Sequence, residues 1–508
     1  MRQELIIHGI PDSLRLDAWW LEAAGEPPQA QPRRQTGRGP LLVSMRARHA
    51  IPLLASLVAI ADWLFWDQPA GISMAVFSLI LSAAVMAMKP RRPTIREWAG
   101  AAGFALLSNL PAAIDLQVLS VLFSLGGLIC LTAWAVYGSA LSERLALRTA
   151  LRLPTFGAAL LLRNTLCAMP ASDLSSGLRR HAASLALPLL MGSVFLMLLA
   201  SANPVLEEAL AELDPGQLFE LEFWLRLLFW TVAAALLWPC LNLSETWLGS
   251  TAPAANVQKA GPSRAAFLIN PVSVRNSLVL FNLLFLAQTM MDLGILTGGV
   301  ALPDGMSYAA YAHRGAYPLV VTALLAGVFT LVTRSMTGTD RTLRALVYLW
   351  LAQNMILVLT AAIRLQHYVA AYALTYLRIA AFVWMALVLA GLVLTAVQIH
   401  RGHGTAWLLR RCFAALVAAL YICSFVNFAD VIARYNLTHG STLVTQDTSY
   451  ICSLGAAAYP AVHAFETASG QQVCGSAIHS DLNRNTITNW REWGFRRWRI
   501  QAYYQQQT

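Results

Sequence analysis

The sequence predicts an all-α polytopic membrane protein: about 11 transmembrane helices, N-terminus inside and C-terminus outside, with a small external helical domain at the C-terminal end. Three observations carry that expectation. Hydrophobic residues make up 57% of the chain and charged residues only 12%, against about a quarter charged in an ordinary soluble domain. The apolar residues gather into stretches about twenty residues long with hardly a charge inside them, the length a helix needs to cross a bilayer. The formal charge of +10, in which Lys89 and Lys259 are the only lysines among 36 basic residues, is concentrated in alternate connections.

Taken in order, residues 1–48 read as a cytoplasmic arm. IPDSLRLDAWWL suits one short helix, and EPPQAQPRRQTGRGP suits a disordered basic linker. No cleavable apolar leader stands in the first 40 residues, so the first span is expected to act as an uncleaved anchor. The bundle, 49–428, then divides into spans at 49–66, 69–88, 97–113, 116–141, 182–201, 220–241, 276–298, 317–333, 344–364, 374–399 and 407–428. The third is short and turns through SNLPAAID almost directly into the fourth, so a re-entrant hairpin is its alternative. With the N-terminus inside, the cytoplasmic connections hold Arg91, Arg92 and Arg96, then Arg144 to Arg180, then Lys259, Arg264 and Arg275, while the short external loops hold one clear case, Arg314. The segment 142–181 spaces arginines among leucines; it reads as an interfacial helix on anionic lipid or as a coupling helix that meets a partner protein.

Residues 429–508 form the small external (periplasmic) domain. Of the seven cysteines only Cys452 and Cys474 lie in it, and on the oxidising side of an inner membrane the simplest reading is a disulfide between them, with two unpaired buried thiols as the alternative. It would close a loop of about twenty residues and contribute on the order of 3 kcal/mol in the chain-entropy model. The tail interleaves Trp490, Trp493, Phe495 and Trp498 with Arg491, Arg496, Arg497 and Arg499. Outside a membrane this reads as a helix resting on lipid head groups or as one packing its tryptophans onto the disulfide domain, and no nucleic-acid partner is expected.

Polar residues inside apolar spans are costly and mark where to look. Gln288 and Asp292, four apart, share one helix face with Phe281 and Phe285. Asp62, Asp292, Arg364, Arg378 and Arg226 fall at one depth, in the outer third, and Gln353, Thr360 and Arg364 repeat at helical spacing with Asn354 beside them. The connections after these spans add Tyr308, Tyr311, His313, Arg314 and Tyr317, and His367, Tyr368, Tyr372 and Tyr376. Two readings stand side by side: a ligand-binding pocket for an anionic or polyhydroxylated group such as a lipid head group or glycan, or a structural ion pair of Asp292 with Arg364 or Arg378 beneath an ordinary aromatic belt.

The run QTMMDLGILTGG, the following LPDGMSYAAYAHRGAYPL, and LAQNMILVLTAAIRLQHYVAAYALTYLRIAAFVWMALVLAGL further on resemble bacterial polytopic membrane proteins of the domain-of-unknown-function families 4153/4173. The resemblance extends from the first span nearly to the end, strongest at 281–333 and 348–399. It implies a topology and no activity, and the paired cysteines are not a feature associated with it.

Enzyme signatures are mostly missing: no HExxH, no P-loop, no nucleotide-binding domain, and ten histidines scattered singly. No cofactor and no metal is therefore expected. Three function classes follow: a non-enzymatic inner-membrane scaffold, sensor or accessory factor binding a partner or lipid at its outer face; a transporter or flippase with its pocket at Asp292, Arg364 and Arg378; and a transferase on a lipid-linked substrate with Asp292 as base.

Overall fold

The computed structural model describes residues 40–89, 92–153, 221–242, 271–296, 340–440, 448–484 and 486–507, with single positions at 155, 191, 325, 327 and 329. Among them every regular element is helical. The chain divides into two compact units, Met1–Ala59 with Leu153–Asn242 and Ile60–Arg152 with Leu243–Thr508. Helix α1, Pro40–Phe65, begins in the first unit, which also holds the described helix α5, Leu221–Leu241.

The second unit opens on three neighbours, α2 (Ile72–Ala87), α3 (Ile95–Ile114) and α4 (Val118–Tyr137). Thr94 starts α3 with a reciprocal capping box to Glu97, which satisfies two end donors that an uncapped helix leaves open. Glu97 also accepts from Lys89 Nζ at 2.6 Å, and that ammonium lies 4.4 Å above the Trp134 ring. Gly127 of α4 faces Ser108 of α3 so closely that a Cβ would stand 2.3 Å from its Oγ, so only glycine permits that approach. The SNLPAAID stretch forms the end of α3 and its direct turn into α4.

Next come α6 (Pro271–Leu296), α7 (Arg341–Tyr372), α8 (Tyr376–Arg401) and α9 (Thr405–Phe425). Their seam is apolar: Val274 and Leu278 meet Leu343, Val347, Trp350 and Leu351, with Leu392 joining from α8. Phe281 stacks on Trp350 at 5.4 Å and Phe285 meets the same ring edge-on at 6.1 Å.

Among the described residues six helices are long and apolar enough to cross a membrane: α4 to α9. Ala50–Phe65 of α1 and α2 are apolar but shorter, and α3 is not among the six. The expected spans 182–201 and 317–333, and residues 1–39 of the expected arm 1–48, lie outside the described residues, whereas 40–48 of that arm are already the start of helix α1. Two later boundaries differ from expectation as well. Helix α7 continues 32 residues, through LQHYVAAY, where a loop was expected after 364. The reason is that no glycine or proline interrupts it, so the chain turns only within 373–375. The last long helix ends at Phe425, and Phe428 already begins a new one.

That new helix, α10 (Phe428–Thr438), belongs to a C-terminal cap with α11 (Thr448–Ser453), α12 (Tyr459–Ser469), α13 (Gly475–Arg484) and α14 (Phe495–Gln505). Ala433, Leu437, Ile451, Val462, Ile478 and Ile500 are its core. Cys452 and Cys474 are joined, their Cα atoms 5.4 Å apart, and Glu466 Oε1 accepts from the backbone N–H of Val473 and Cys474 beside the bridge. Helix α14 buries Arg496 and Ile500 and presents Tyr503 and Tyr504 to this core, while Phe495 and Trp498 stay exposed. The tail therefore packs onto the disulfide-linked helices through Ile500, Tyr503 and Tyr504, and not through the expected tryptophans, of which Trp490 and Trp498 stay exposed. The turn before it reaches α2: Ile72 N–H donates to the Trp493 carbonyl at 2.7 Å, and a Cβ on Gly71 would lie 2.3 Å from the Glu492 carbonyl carbon.

Candidate functional site

The polar residues of α6 and α7 meet along one seam. Asp292 is fully buried; Gln288 Nε2 donates to its Oδ1 at 2.9 Å and Arg364 Nη2 to its Oδ2 at 3.0 Å, with Arg364 8% exposed. The i, i+4 spacing puts Gln288 and Asp292 on one face, and the 353, 360, 364 repeat puts Gln353, Thr360 and Arg364 on the buried face of α7. About three turns along the seam, Gln353 Nε2 donates to the Asn282 carbonyl at 3.2 Å, and Asn282 Nδ2 donates to the Leu278 and Leu346 carbonyls. Asn354 and Thr360 bond to carbonyls of their own helix. Opposite charges in contact are what make burial of either tolerable in a low-dielectric seam. Both carboxylate oxygens of Asp292 are thereby engaged in a side-chain lock between two helices.

Arg378 is placed elsewhere. Its Nη1 donates to the carbonyls of Tyr372 and Ala373, and its guanidinium lies 4.2 Å from the Tyr368 ring centroid. Ala373 takes a positive φ of 71°, a conformation a side chain resists, and the turn is held from both sides. Asn436 of α10, 2% exposed, accepts from the Leu374 N–H at 2.6 Å and donates to the Leu374 carbonyl at 3.0 Å. The Arg378 cation thus closes the α7–α8 turn, while Arg364 partners Asp292. Asp62 lies half-buried on α1, and Arg226 lies over Trp230 in the other unit. Tyr308, Tyr311, His313, Arg314 and Tyr317 fall outside the described residues.

A second polar site, which sequence reasoning did not single out, lies where the α3–α4 turn meets the cap. Asp115 Oδ2 accepts from Arg496 Nη1 and from Gln117 Nε2, each at 2.5 Å. Asp481 Oδ2 accepts from the Ala456 N–H at 2.7 Å, and Gly455, at φ +72°, leaves room for it. A cavity of about 400 Å³ opens between these groups and α14. Within the cap, burial, followed by the neighbouring Tyr504, Tyr503 and Glu466, pushes the Tyr459 hydroxyl above its ordinary pKa. The signal in the sequence was slight: one aspartate at a turn and one arginine among several in a basic tail.

Long apolar helices locked by a buried ion pair define a multi-pass membrane protein. The family model described as a domain of unknown function, DUF4153, matches residues 101–465, and the chain belongs to that family. The match takes in both partners of the Asp292–Arg364 pair and, in the cap, α10, α11 and the first part of α12. Comparison with curated proteins and with solved structures finds no match.

Proposed function

We propose that the chain is a non-enzymatic protein of the bacterial inner membrane, a scaffold, sensor or accessory factor, with its N-terminus inside and its cap on the outer face as the binding surface. The observation that carries this reading is the closed Asp292–Arg364 pair: carboxylate and guanidinium are in contact at 3.0 Å and buried, with Gln288 on the second carboxylate oxygen. A group spent on holding two helices together is not offered to a passing solute or a reacting lipid. The arginine asymmetry of the connections and the cystine in the cap support placing the cap outside. Membrane lipid is the first partner, and a protein meeting 142–181 or the cap is the second.

Asp292→Asn separates this from a transporter or flippase. The variant is compared with the parent chain for abundance in membranes, thermal midpoint and solute flux in proteoliposomes. Structural locking predicts that abundance and midpoint fall together. A normally abundant, normally stable variant that has lost a flux shown by the parent would put transport in its place.

A further inference from the structure

The cleft between the α3–α4 turn and the cap is built with more donors than the molecule uses. Its carboxylates are engaged: Asp481 by the Ala456 N–H at 2.7 Å and by Arg484 at 3.6 Å, Asp115 by Arg496 and Gln117. One guanidinium edge is not. Arg496 lines the cleft at 8% exposure, and its Nη2 has no hydrogen-bond partner. Among the described buried polar atoms without a partner, this one belongs to a side chain that also lines the cleft, and a buried donor calls for an acceptor. Arg497, next along the wall, reaches Glu492 only at 3.9 Å and is 38% exposed. Two arginines with capacity to spare suit a carboxylate or phosphate.

The remaining polar wall is neutral. Asn483, Thr486, Gln501 and Gln505 line it. The Gln501 Oε1 accepts from the Ile487 N–H at 3.1 Å, which leaves its Nε2 to donate, and the Thr486 hydroxyl donates to the Leu482 and Asn483 carbonyls, which leaves its lone pairs to accept. Amides and hydroxyls of this kind pair with ligand hydroxyls, and Leu454, Ile500 and Tyr504 give an apolar side for C–H faces. A volume of about 400 Å³ falls toward the lower end of small-molecule pockets, about 300–1,000 Å³.

We infer that the cleft binds an acidic sugar: Arg496 and Arg497 hold its carboxylate or phosphate, and Asn483, Thr486, Gln501 and Gln505 hold its hydroxyls. The inference deepens the proposed binding role of the cap and rests on that reading only for the side of the membrane the sugar comes from. Two sources share this chemistry, a free sugar acid and a lipid head group. Asp115 belongs to the turn joining two helices of the bundle, so a head group has a short path to the cleft.

The test uses the full chain in phosphatidylcholine nanodiscs, with saturation-transfer NMR on glucuronate, glucose 6-phosphate and glucose. Transfer to either acid but not to glucose, weakened about tenfold by Arg497→Gln as loss of a charge-assisted contact requires, supports a free sugar acid. Asn483→Ala, at an exposed position, weakens it as well. Phosphatidylinositol added to the discs and retained over phosphatidylcholine in native mass spectrometry, with retention lost in Arg497→Gln, supports a head group. The proposal is overturned if the acids bind no better than glucose and phosphatidylinositol is retained no better than phosphatidylcholine, or if whatever binding exists ignores Arg497→Gln. A negative result here leaves the role of the Asp292–Arg364 pair standing, because the Asp292→Asn comparison reads that separately.

Discussion

Replacing Asp292 with leucine removes a carboxylate from a fully buried position and leaves the Arg364 guanidinium, 8% exposed, without the oxygen it holds at 3.0 Å. Breaking one side of a buried pair costs about 3–5 kcal/mol, because the surviving charge stays desolvated. Gln288 loses its acceptor in the same step, which adds about 1 kcal/mol. Removing both charges, as in Asp292→Leu with Arg364→Met, fills the seam with apolar side chains and is expected to come within about 1–2 kcal/mol of the parent, since such replacements are often neutral or stabilising. The assay is reversible unfolding in mixed micelles for the parent, both single variants and the double. On these figures the two single losses together exceed that of the double variant by about 5 kcal/mol or more, and a coupling free energy of that size is the expected result. Single variants within about 0.5 kcal/mol of the parent, or a double variant whose loss equals the sum of the two, would refute the idea of a lock.

Four further outcomes follow from the same geometry. Asn436→Ala leaves the buried N–H and carbonyl of Leu374 without the partners they now have, a loss of about 2–4 kcal/mol; hydrogen exchange should rise in the 373–375 turn, and unchanged exchange there contradicts the clamp. Cys452→Ala with Cys474→Ala opens a link across 22 residues, so protection in 448–505 should fall by about 3 kcal/mol while α7 and α8 keep theirs. Gly71→Ala pushes a methyl group to 2.3 Å from the Glu492 backbone; the 490–493 turn must shift and loosen the Trp63–Trp490 contact, now 5.6 Å between centroids, which a red shift in tryptophan emission reads and an unchanged spectrum denies. The Thr342 hydroxyl and then its N–H, both bonded to Asp340, hold that carboxyl below the usual aspartate value. Its folded pKa lies below its unfolded one, so the capping contribution is complete above the ordinary aspartate pKa of about 3.9 and fades as pH falls through the lower folded value; Asp340→Asn should abolish that acid-side rise in exchange at the start of α7, and an identical pH profile would count against the cap.

The helical class and the long apolar spans were legible because composition and window length report them directly. So was the shared face of Gln288 and Asp292, since an i, i+4 relation fixes it without tertiary knowledge. Which arginine pairs with Asp292 was not legible. Arg364 and Arg378 are both basic residues near the end of a span, and the choice depends on α7 running on to Tyr372, which carries Arg378 into the turn and onto the Tyr372 and Ala373 carbonyls. The loop expected around His367 and Tyr368 was read from polarity, whereas helix continuation was decided by the lack of any breaker before Ala373. The cleft was hidden for a different reason: Asp115 and Arg496 stand 381 residues apart, and no local pattern announces such a contact.

Placement of the cap as the outward binding face is tested most directly by impermeant thiol labelling in intact cells. Gln506→Cys places a thiol at the exposed end of the cap, and Ala406→Cys places one at the exposed start of α9, at the far end of that helix from α10. With the cap outside, an impermeant maleimide labels position 506 in intact cells above the parent's background, and position 406 only after permeabilisation. Labelling of 406 in intact cells with 506 protected would invert the topology and contradict the placement of the cap.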